Sequence, residues 1–277
     1  MSTPDPQTTL DHIQRRATRY ETPCGAGRMV WHAWGAGPPL VLLHGGTGSW
    51  RHWARNIEAF ADHRRVVCPD LPGLGCSDMP PDPEYPPAMA AILSDGLDVV
   101  IGPEAVYDLA GFSYGGVMAG VLAARDRGRV RSLTIVGSGG LGLERGPTKL
   151  VKVRHLAGAA RTDAHRANLA ALMFADAAKI DGLALLIQDW NTRQARLKSP
   201  PISRGTWLRD ALGGLRCQVN GIWGSLDAPS LPDIGARERA MRALQPRLRF
   251  HAIEGAGHWV AYEAAAAFNA TLRAMLD

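Results

Sequence analysis

The sequence predicts an α/β fold, with a mostly parallel central sheet covered by helices on both faces. Short apolar runs rich in Val, Ile and Leu alternate with longer stretches of helical spacing, as in buried parallel strands joined by helices. A Gly-x-Ser-x-Gly sequence at 111–115 lies between one such run and a helical stretch. The alternation is interrupted once, over 141–212. These three observations predict the fold class and the place where chemistry is expected.

The apolar runs give the order of the predicted strands. They lie at 28–34, 40–43, 65–68, 105–110, 132–136, 218–223 and 248–253. Helical spacing is found at 50–61, 89–100, 115–125, 165–175, 179–190 and 234–244, and from 260 onward. Disorder is expected only in the first twenty residues, which open with a polar, Pro-containing stretch.

The interruption at 141–212 contains helical stretches and no strand-like alternation. We expect it to form a helical cap, or lid, over the carboxyl edge of the sheet, where open α/β sheets bind their ligands. The core domain is then predicted to comprise 1–140 and 213–277.

Composition excludes several classes of protein. Of the 277 residues, 46% are hydrophobic and 21% are charged, which is typical of a globular domain. The net charge of +5 comes from scattered basic residues, mostly Arg, so no nucleic-acid partner is predicted. No apolar run approaches the roughly 18 residues of a membrane span, and no secretory signal is recognisable. A cytoplasmic protein that does not bind membranes is therefore predicted.

The four cysteines are Cys24, Cys68, Cys76 and Cys217, and no two of them form a C-x-x-C pair. This spacing predicts neither a zinc site nor a disulfide framework, and it fits a reducing compartment. No metal or organic cofactor is predicted. The expected partner is a small-molecule substrate, and the sequence leaves open whether the chain forms a homo-oligomer.

Ser113 is the predicted nucleophile. It is the serine of Gly111-Phe112-Ser113-Tyr114-Gly115, between a predicted strand and a predicted helix. Small neighbours allow a very tight strand-to-helix turn that leaves the hydroxyl projecting above the sheet. The amino terminus of the following helix also favours developing negative charge there.

A serine hydroxyl needs a base to take its proton and an acid to orient that base. In the order expected for such a site, serine, acid, histidine, the acid follows a late strand and the histidine follows the last strand. Asp227 and His258 occupy those positions, the second within Glu254-Gly-Ala-Gly-His258. Glu144 and Glu254 are the alternative acids.

The other histidines lack a Gly-rich loop or lie inside predicted strands, and we expect them to be surface or core residues. They are His12, His32, His52, His63, His155, His165 and His251.

A tetrahedral intermediate requires N–H donors for its oxyanion. The backbone N–H of the residue after the nucleophile, Tyr114, is one candidate, and Gly46 in the loop after an early strand is the other. Glycine at 45 and 46 permits close approach of the backbone to substrate. His44 is expected to brace this loop rather than to contact substrate.

Five motifs in this order resemble the α/β-hydrolase superfamily over essentially the whole chain. They are His44-Gly45-Gly46, Asp70-Leu-Pro-Gly-Leu-Gly-Cys-Ser-Asp78, Gly111-Phe-Ser-Tyr-Gly115, Trp223-Gly-Ser-Leu-Asp227 and Gly257-His258. Within it, Arg55-Asn-Ile57 and Gly257-His-Trp-Val-Ala-Tyr-Glu263 are similar to the meta-cleavage-product hydrolases, which cut a carbon–carbon bond in ring-fission products.

That resemblance implies further substrate-binding candidates. The family has a Trp directly after its catalytic His, as Trp259 is here, and a lid Arg that binds the substrate carboxylate, for which Arg193 and Arg196 are candidates. Apolar lid residues, including Met173, Leu185, Leu186 and Trp190, are expected to cover the pocket or to form the lid's own core.

The chain departs from that family at two places. Phe112 stands where the family has Asn before the nucleophile, and Gly46-Thr47-Gly48 stands where it has Gly-Pro-Gly. Phe112 removes a hydrogen-bonding group beside the reacting centre. Ester hydrolysis is therefore favoured, with carbon–carbon bond hydrolysis and a catalytically inactive ligand-binding protein as the alternatives.

Overall fold

A central eight-stranded sheet organises the part of the chain that the computed structural model describes, residues 5–277. The strands follow the order β1-β2-β4-β3-β5-β6-β7-β8; β1 pairs antiparallel with β2 and β2 with β4, and all other pairs are parallel. Their bounds are β1 Thr18–Cys24, β2 Gly27–Trp34, β3 Pro39–Leu43, β4 Arg65–Pro69, β5 Tyr107–Phe112, β6 Val130–Val136, β7 Gln218–Gly224 and β8 Arg249–Ile253. All seven predicted strands are present, and the predicted α/β fold is confirmed.

Helices cover both faces of this sheet. Their bounds are α1 Pro6–Arg15, α2 Ile57–Ala61, α3 Pro86–Ile101, α4 Tyr114–Arg125, α5 Gly158–Leu172, α6 Gly182–Gln194, α7 Pro200–Arg204, α8 Trp207–Leu212, α9 Gly235–Leu244, α10 Val260–Glu263 and α11 Ala265–Leu276. Short 3₁₀ turns lie at Trp50–Trp53, Ala177–Lys179 and Ala228–Ser230. None of the helices within residues 5–277 combines the length and the apolar character that crossing a bilayer requires.

Two buried clusters form the core, one on each side of the sheet. In the first, Leu93 and Leu97 of α3 pack with Val117 and Leu122 of α4. In the second, side chains of α11 such as Phe268 pack with residues that include Trp53 and Ile57. Large apolar side chains that leave water on both faces hold the strands in place.

The expectation of disorder in the first twenty residues is wrong for the described part of them. Asp5 caps α1 by accepting a hydrogen bond from the Thr8 N–H at 2.9 Å, and Pro6 occupies the first turn, where its missing N–H costs nothing. Leu10 and Ile13 are buried in the second core cluster. The composition is polar because only one stripe of this helix faces the protein. Residues 1–4 lie outside the described residues.

The predicted helix at 50–61 is two separate pieces. The 3₁₀ turn Trp50–Trp53 is capped by the Ser49 hydroxyl, and α2 begins only at Ile57. Between them, the Asn56 amide donates to the Ala261 carbonyl and to Asn269, both at 2.8 Å. These bonds to the carboxyl-terminal helices fix the chain where a continuous helix would otherwise run.

Residues 141–212 contain four helices, α5 to α8, and no strand. The predicted helices at 165–175 and 179–190 correspond to α5 and α6, each shifted by several residues. Leu208 and Leu212 of α8 belong to the same buried cluster as α4, so this last helix of the segment packs directly on the sheet-covering layer.

Candidate active site

Ser113 lies at a sharp turn between β5 and α4. Its φ is +53° and its ψ is −116°, a conformation that a residue with a side chain adopts only under strain. Flanking glycines permit it, because a Cβ on Gly111 would meet the Gly115 backbone and a Cβ on Gly115 would meet the backbone carbonyls of Leu43 and His44. The Ser138 hydroxyl donates to the Ser113 carbonyl at 2.7 Å and holds the turn from the next loop.

The structure brings the predicted nucleophile, base and acid together. His258 Nε2 lies 3.0 Å from Ser113 Oγ, and His258 Nδ1 lies 3.0 Å from Asp227 Oδ2. Asp227 follows β7 and is fully buried, whereas His258 follows β8 and is 4% exposed. Because β5, β7 and β8 run parallel, their carboxyl ends deliver all three side chains to one edge of the sheet.

The acid occupies an enclosed position. Asp227 Oδ2 faces His258, and Oδ1 has no hydrogen-bond partner among residues 5–277. Burial lowers the pKa of Arg145 and of Arg237, and the negative charge of Asp227 acts in the opposite direction on both. Gly137, at φ +51°, makes room for the carboxylate, since a Cβ there would lie 3.0 Å from Asp227 Oδ2.

Neither alternative acid reaches His258. Glu144 and Glu254 are both exposed, and the Nδ1 of His258 bonds to Asp227 instead.

The Gly45-Gly46 loop lies against the nucleophile. A Cβ on Gly45 would be 3.4 Å from Ser113 Cβ, and one on Gly46 would be 3.6 Å from Tyr114 Cβ. The two backbone segments proposed as the oxyanion hole are therefore neighbours. Their separation is set by the absence of side chains at 45 and 46.

His44 braces this loop from behind. Its Nε2 accepts from the Leu71 N–H at 2.9 Å, so its proton is on Nδ1, which donates to the Gly45 carbonyl at 2.8 Å. Burial lowers the pKa of His44 and keeps the ring uncharged. Asp70, also buried, accepts from the Trp50 N–H at 2.9 Å and from the Cys76 N–H at 2.8 Å, which ties the loop to the turn that follows β4.

A cavity of about 430 Å³ opens above Ser113 and His258, within the size range of small-molecule sites. The sheet side contributes Gly45, Gly46 and Phe112 to its lining. The helical segment contributes apolar and polar groups that include Leu172, Met173, Gln188 and Thr192.

Two predicted substrate contacts from the lid lie outside this cavity lining. Arg193 is exposed, and its Nε donates to Asp189 Oδ2 at 2.8 Å one helical turn away. Arg196 donates to the carbonyls of Gly75 and Ser77 and so ties the segment to the turn after β4. Both side chains thus make contacts within the protein and not with the cavity.

The two predicted tryptophan contacts also pack elsewhere in the structure. Trp190 stacks under the Arg51 guanidinium, whose carbon lies 3.6 Å from the ring centre. Trp259 is fully buried, and its Nε1 donates to the His52 carbonyl at 2.9 Å. Neither ring lines the cavity.

Among the cavity residues that the sequence did not predict, three carry titratable side chains. His52 was expected to be a surface or core residue, and Arg145 and Arg204 fall in no motif. Neither Arg145 nor Arg204 forms a salt bridge with any group in residues 5–277. The only sequence signal for Arg145 and Arg204 is their position in the interruption at 141–212, and this does not distinguish them from the other arginines of that segment.

Glu263 connects the His258 loop to the helical segment. This buried carboxylate accepts from the backbone N–H of Gly257 at 2.7 Å, of Asp176 at 2.9 Å and of Ala175 at 3.1 Å. In addition, the Trp259 N–H donates to the Met173 carbonyl at 2.8 Å. The catalytic-loop candidate and the end of α5 are thus held as one unit.

We expect Glu263→Gln to lower both stability and activity. The amide NH₂ cannot accept from these N–H groups, so the free energy of unfolding should fall by about 2 kcal/mol. Because Gly257 directly precedes His258, kcat should fall by roughly tenfold as the imidazole loses its fixed position. Thermal unfolding and ester hydrolysis check this, with the exposed Glu254→Gln as control. Equal behaviour of the two variants would contradict the role assigned to Glu263.

No group of three or more His, Cys, Asp and Glu side chains in residues 5–277 has the arrangement to hold a metal ion.

Comparison with known proteins agrees with this fold. The sequence profile of the alpha/beta hydrolase family matches residues 40–271. A 2-hydroxymuconate semialdehyde hydrolase from Pseudomonas sp. (strain CF600) is 39% identical over 114 residues, which are 40% of this chain and 40% of that protein. The match thus spans about two fifths of that relative's length.

Two further proteins match over a greater length. The dihydrolipoyllysine-residue acetyltransferase component of the acetoin cleaving system from Pseudomonas putida is 32% identical over 273 residues, covering 90% of this chain and 67% of that protein. Carboxylesterase CesB from Bacillus subtilis has a crystal structure that shares the fold, with a TM-score of 0.77 at 18% identity over 98% of this chain and 95% of that chain. The profile match over most of the sequence decides the assignment: this chain belongs to the alpha/beta hydrolase family.

Proposed function

We propose that this hydrolase cleaves carboxylic esters of small organic acids, with Ser113, His258 and Asp227 as its catalytic triad. The observation that carries the proposal is the pair of 3.0 Å contacts from His258, one to Ser113 Oγ and one to Asp227 Oδ2, beneath a cavity open to a small substrate. This arrangement matches the roles that acyl transfer requires of a nucleophile, a base and an orienting acid.

In the proposed reaction, Ser113 Oγ attacks the ester carbonyl carbon while His258 Nε2 takes the hydroxyl proton. The ester C–O bond then breaks, and the alcohol leaves with that proton, so the acyl group remains on Ser113. Water, deprotonated by His258, attacks the acyl-enzyme and releases the acid. Asp227 holds the proton on Nδ1 so that Nε2 is the free base.

The negative oxygen of each tetrahedral intermediate would be held by the backbone N–H groups of Tyr114 and Gly46. Tyr114 is the first residue of α4, where helix N–H groups lack an intrahelical partner and the helix dipole favours an anion. The closeness of the Gly46 backbone to Tyr114 supports a shared oxyanion site.

We further propose that residues 141–212 act as the cap over this site, with 1–140 and 213–277 as the core domain. Leu172, Met173 and Thr192 from the segment line the cavity on the side opposite Phe112 and Ser113, which come from the core. Such a division would let the cap set the substrate's shape while the core supplies the chemistry.

A second candidate is a carbon–carbon bond hydrolase acting on anionic ring-fission products. Arg145 and Arg204 favour it, since both line the cavity and have no carboxylate partner among the described residues. Guanidinium groups in that state are suited to binding a carboxylate. The hydrolase from Pseudomonas sp. named above is a relative of this kind by name. Phe112, buried beside Ser113, keeps ester hydrolysis as the first candidate.

A substrate panel separates the two candidates. We expect kcat/KM to be higher for p-nitrophenyl butyrate than for a 2-hydroxy-6-oxo-dienoate. The reverse order would overturn the ester proposal in favour of carbon–carbon bond cleavage.

The same panel tests the arginines. We expect Arg145→Gln and Arg204→Gln each to lower kcat/KM for the anionic mono-p-nitrophenyl succinate by roughly tenfold or more, because a charge-assisted hydrogen bond contributes about 1.5–3 kcal/mol. Neutral p-nitrophenyl butyrate should change little. Arg193→Gln, outside the cavity, is the matched control. Equal losses on both esters would contradict a role in recognising the anion.

A further inference from the structure

His52 presents one ring edge to the active-site cavity. It lies in the 3₁₀ turn Trp50–Trp53, just beyond the Gly45-Gly46 loop, and is 2% exposed to solvent. The triad does not use it. A buried polar ring that lines a substrate cavity without a role in the proton transfers calls for a separate explanation.

Its protonation follows from one hydrogen bond. His52 Nδ1 lies 3.2 Å from the Gly45 backbone N–H, which can only donate, so Nδ1 is the acceptor and the ring proton is on Nε2. Burial lowers the pKa of His52 well below its usual value, and the neighbouring His44 and His258 lower it further. Since its pKa is depressed, the ring is uncharged at neutral pH.

The Nε2–H group is left without a partner. The Nδ1 side of the ring is closed by the loop, because a Cβ on Gly48 would lie 2.6 Å from Nδ1. No acceptor for the Nε2–H group lies in residues 5–277. The Nε2 atom is also not fully buried. It is therefore a donor that retains access to the cavity.

The Phe112 ring packs against both His52 and the proposed base His258. Its ring centre lies 5.6 Å from that of His52 and 5.0 Å from that of His258. The leaving oxygen of an ester must be next to His258 to take its proton. His52 lies instead beside the proposed oxyanion loop, because its Nδ1 accepts from the Gly45 N–H. An oxygen that His52 reaches is therefore close to the ester carbonyl, in the acyl half of the substrate.

We propose that His52 is a substrate-binding residue whose Nε2–H donates a hydrogen bond to an acceptor oxygen on the acyl group, close to the scissile carbonyl. The preferred substrates are accordingly esters of oxygen-substituted acids, such as alkoxy or oxo acids, rather than of plain alkanoic acids. The inference rests on the ester hydrolysis proposed above.

Two substitutions distinguish the two hydrogen-bonding roles of His52, which are the Nε2 donor to the cavity and the Nδ1 acceptor for the Gly45 N–H. In His52→Asn the side-chain oxygen replaces Nδ1 as acceptor for the Gly45 N–H, and the shorter amide N–H₂ does not extend to the position of Nε2, so the donor at that position is lost. In His52→Gln the amide N–H₂ replaces Nε2 as donor to the cavity. The measured quantity is the ratio of kcat/KM for p-nitrophenyl methoxyacetate to that for p-nitrophenyl butyrate, two esters of equal chain length.

We expect this ratio to fall about tenfold in His52→Asn, the effect of one hydrogen bond, and to stay within about twofold of the wild-type ratio in His52→Gln. His52→Leu, which also lacks the donor, gives the same readout if the Asn variant does not fold. An unchanged ratio in the donor-free variants, or an equal fall in His52→Gln, would overturn the proposal while leaving ester hydrolysis standing. Failure of the wild type to hydrolyse either ester would instead overturn the proposed function, and this inference with it.

Discussion

Ser113→Ala is expected to lower kcat for p-nitrophenyl butyrate by about a million-fold, the loss typical when a serine nucleophile is removed from an intact triad. The methyl group cannot form the acyl-enzyme, and the remaining rate comes from substrate binding and the oxyanion donors. Alanine fits the space of serine at this turn, so the fold should remain. The measurement is the kcat ratio with the active-site concentration known.

A fluorophosphonate should label the wild-type protein at residue 113 and leave Ser113→Ala unlabelled. Ser203→Ala is the matched control, because Ser203 also lines the cavity but forms no hydrogen bond with His258. Its labelling at 113 should be retained. Absence of labelling in folded wild-type protein would favour a ligand-binding protein without catalysis.

The second large effect is expected for Asp227→Asn, at about ten thousand-fold in kcat. The asparagine amide donates to His258 Nδ1 and so stabilises the tautomer that carries its proton on Nε2. That tautomer cannot accept the proton of Ser113, although the 3.0 Å contact between the two residues remains possible. Steady-state kinetics on the same ester provide the measurement.

Asp233→Asn is the control for this change, since it removes the same charge from an exposed position a few residues away. A loss of less than tenfold in Asp227→Asn would show that another group orients His258. The fully buried position of Asp227 makes solvent an ineffective substitute.

The fold was predictable because its signals are local. The apolar runs that became β3 and β4 have no polar alternation, since almost all of their residues are buried, and the glycines at 111 and 115 mark a turn that other residues cannot form. The strand order then placed Asp227 and His258 at the edge that holds Ser113. The elements β1, α1, α7 and α8 were missed. Most side chains of β1 and α1 are exposed, and α7 and α8 have only five and six residues.

The lining of the cavity was not predictable, because it depends on contacts between residues far apart in the chain. Arg193 looks like a lid arginine in the sequence, but an aspartate one helical turn away binds it. Trp259 follows the histidine as in the resembling family, yet it is directed into the core. Conversely, His52 reaches the cavity only because the Gly45–Gly48 loop folds back on its ring.

The hydrogen bonds of Glu263 have a consequence for how substrate enters the cavity. They join the residues after α5 to the loop that carries His258, so Met173 and His258, which both line the cavity, cannot move apart without breaking these bonds. Leu150 and Val151 also line the cavity and are about half exposed, so the cavity meets solvent at these two side chains. These apolar side chains at the rim of the cavity would favour binding of substrates that have an apolar end.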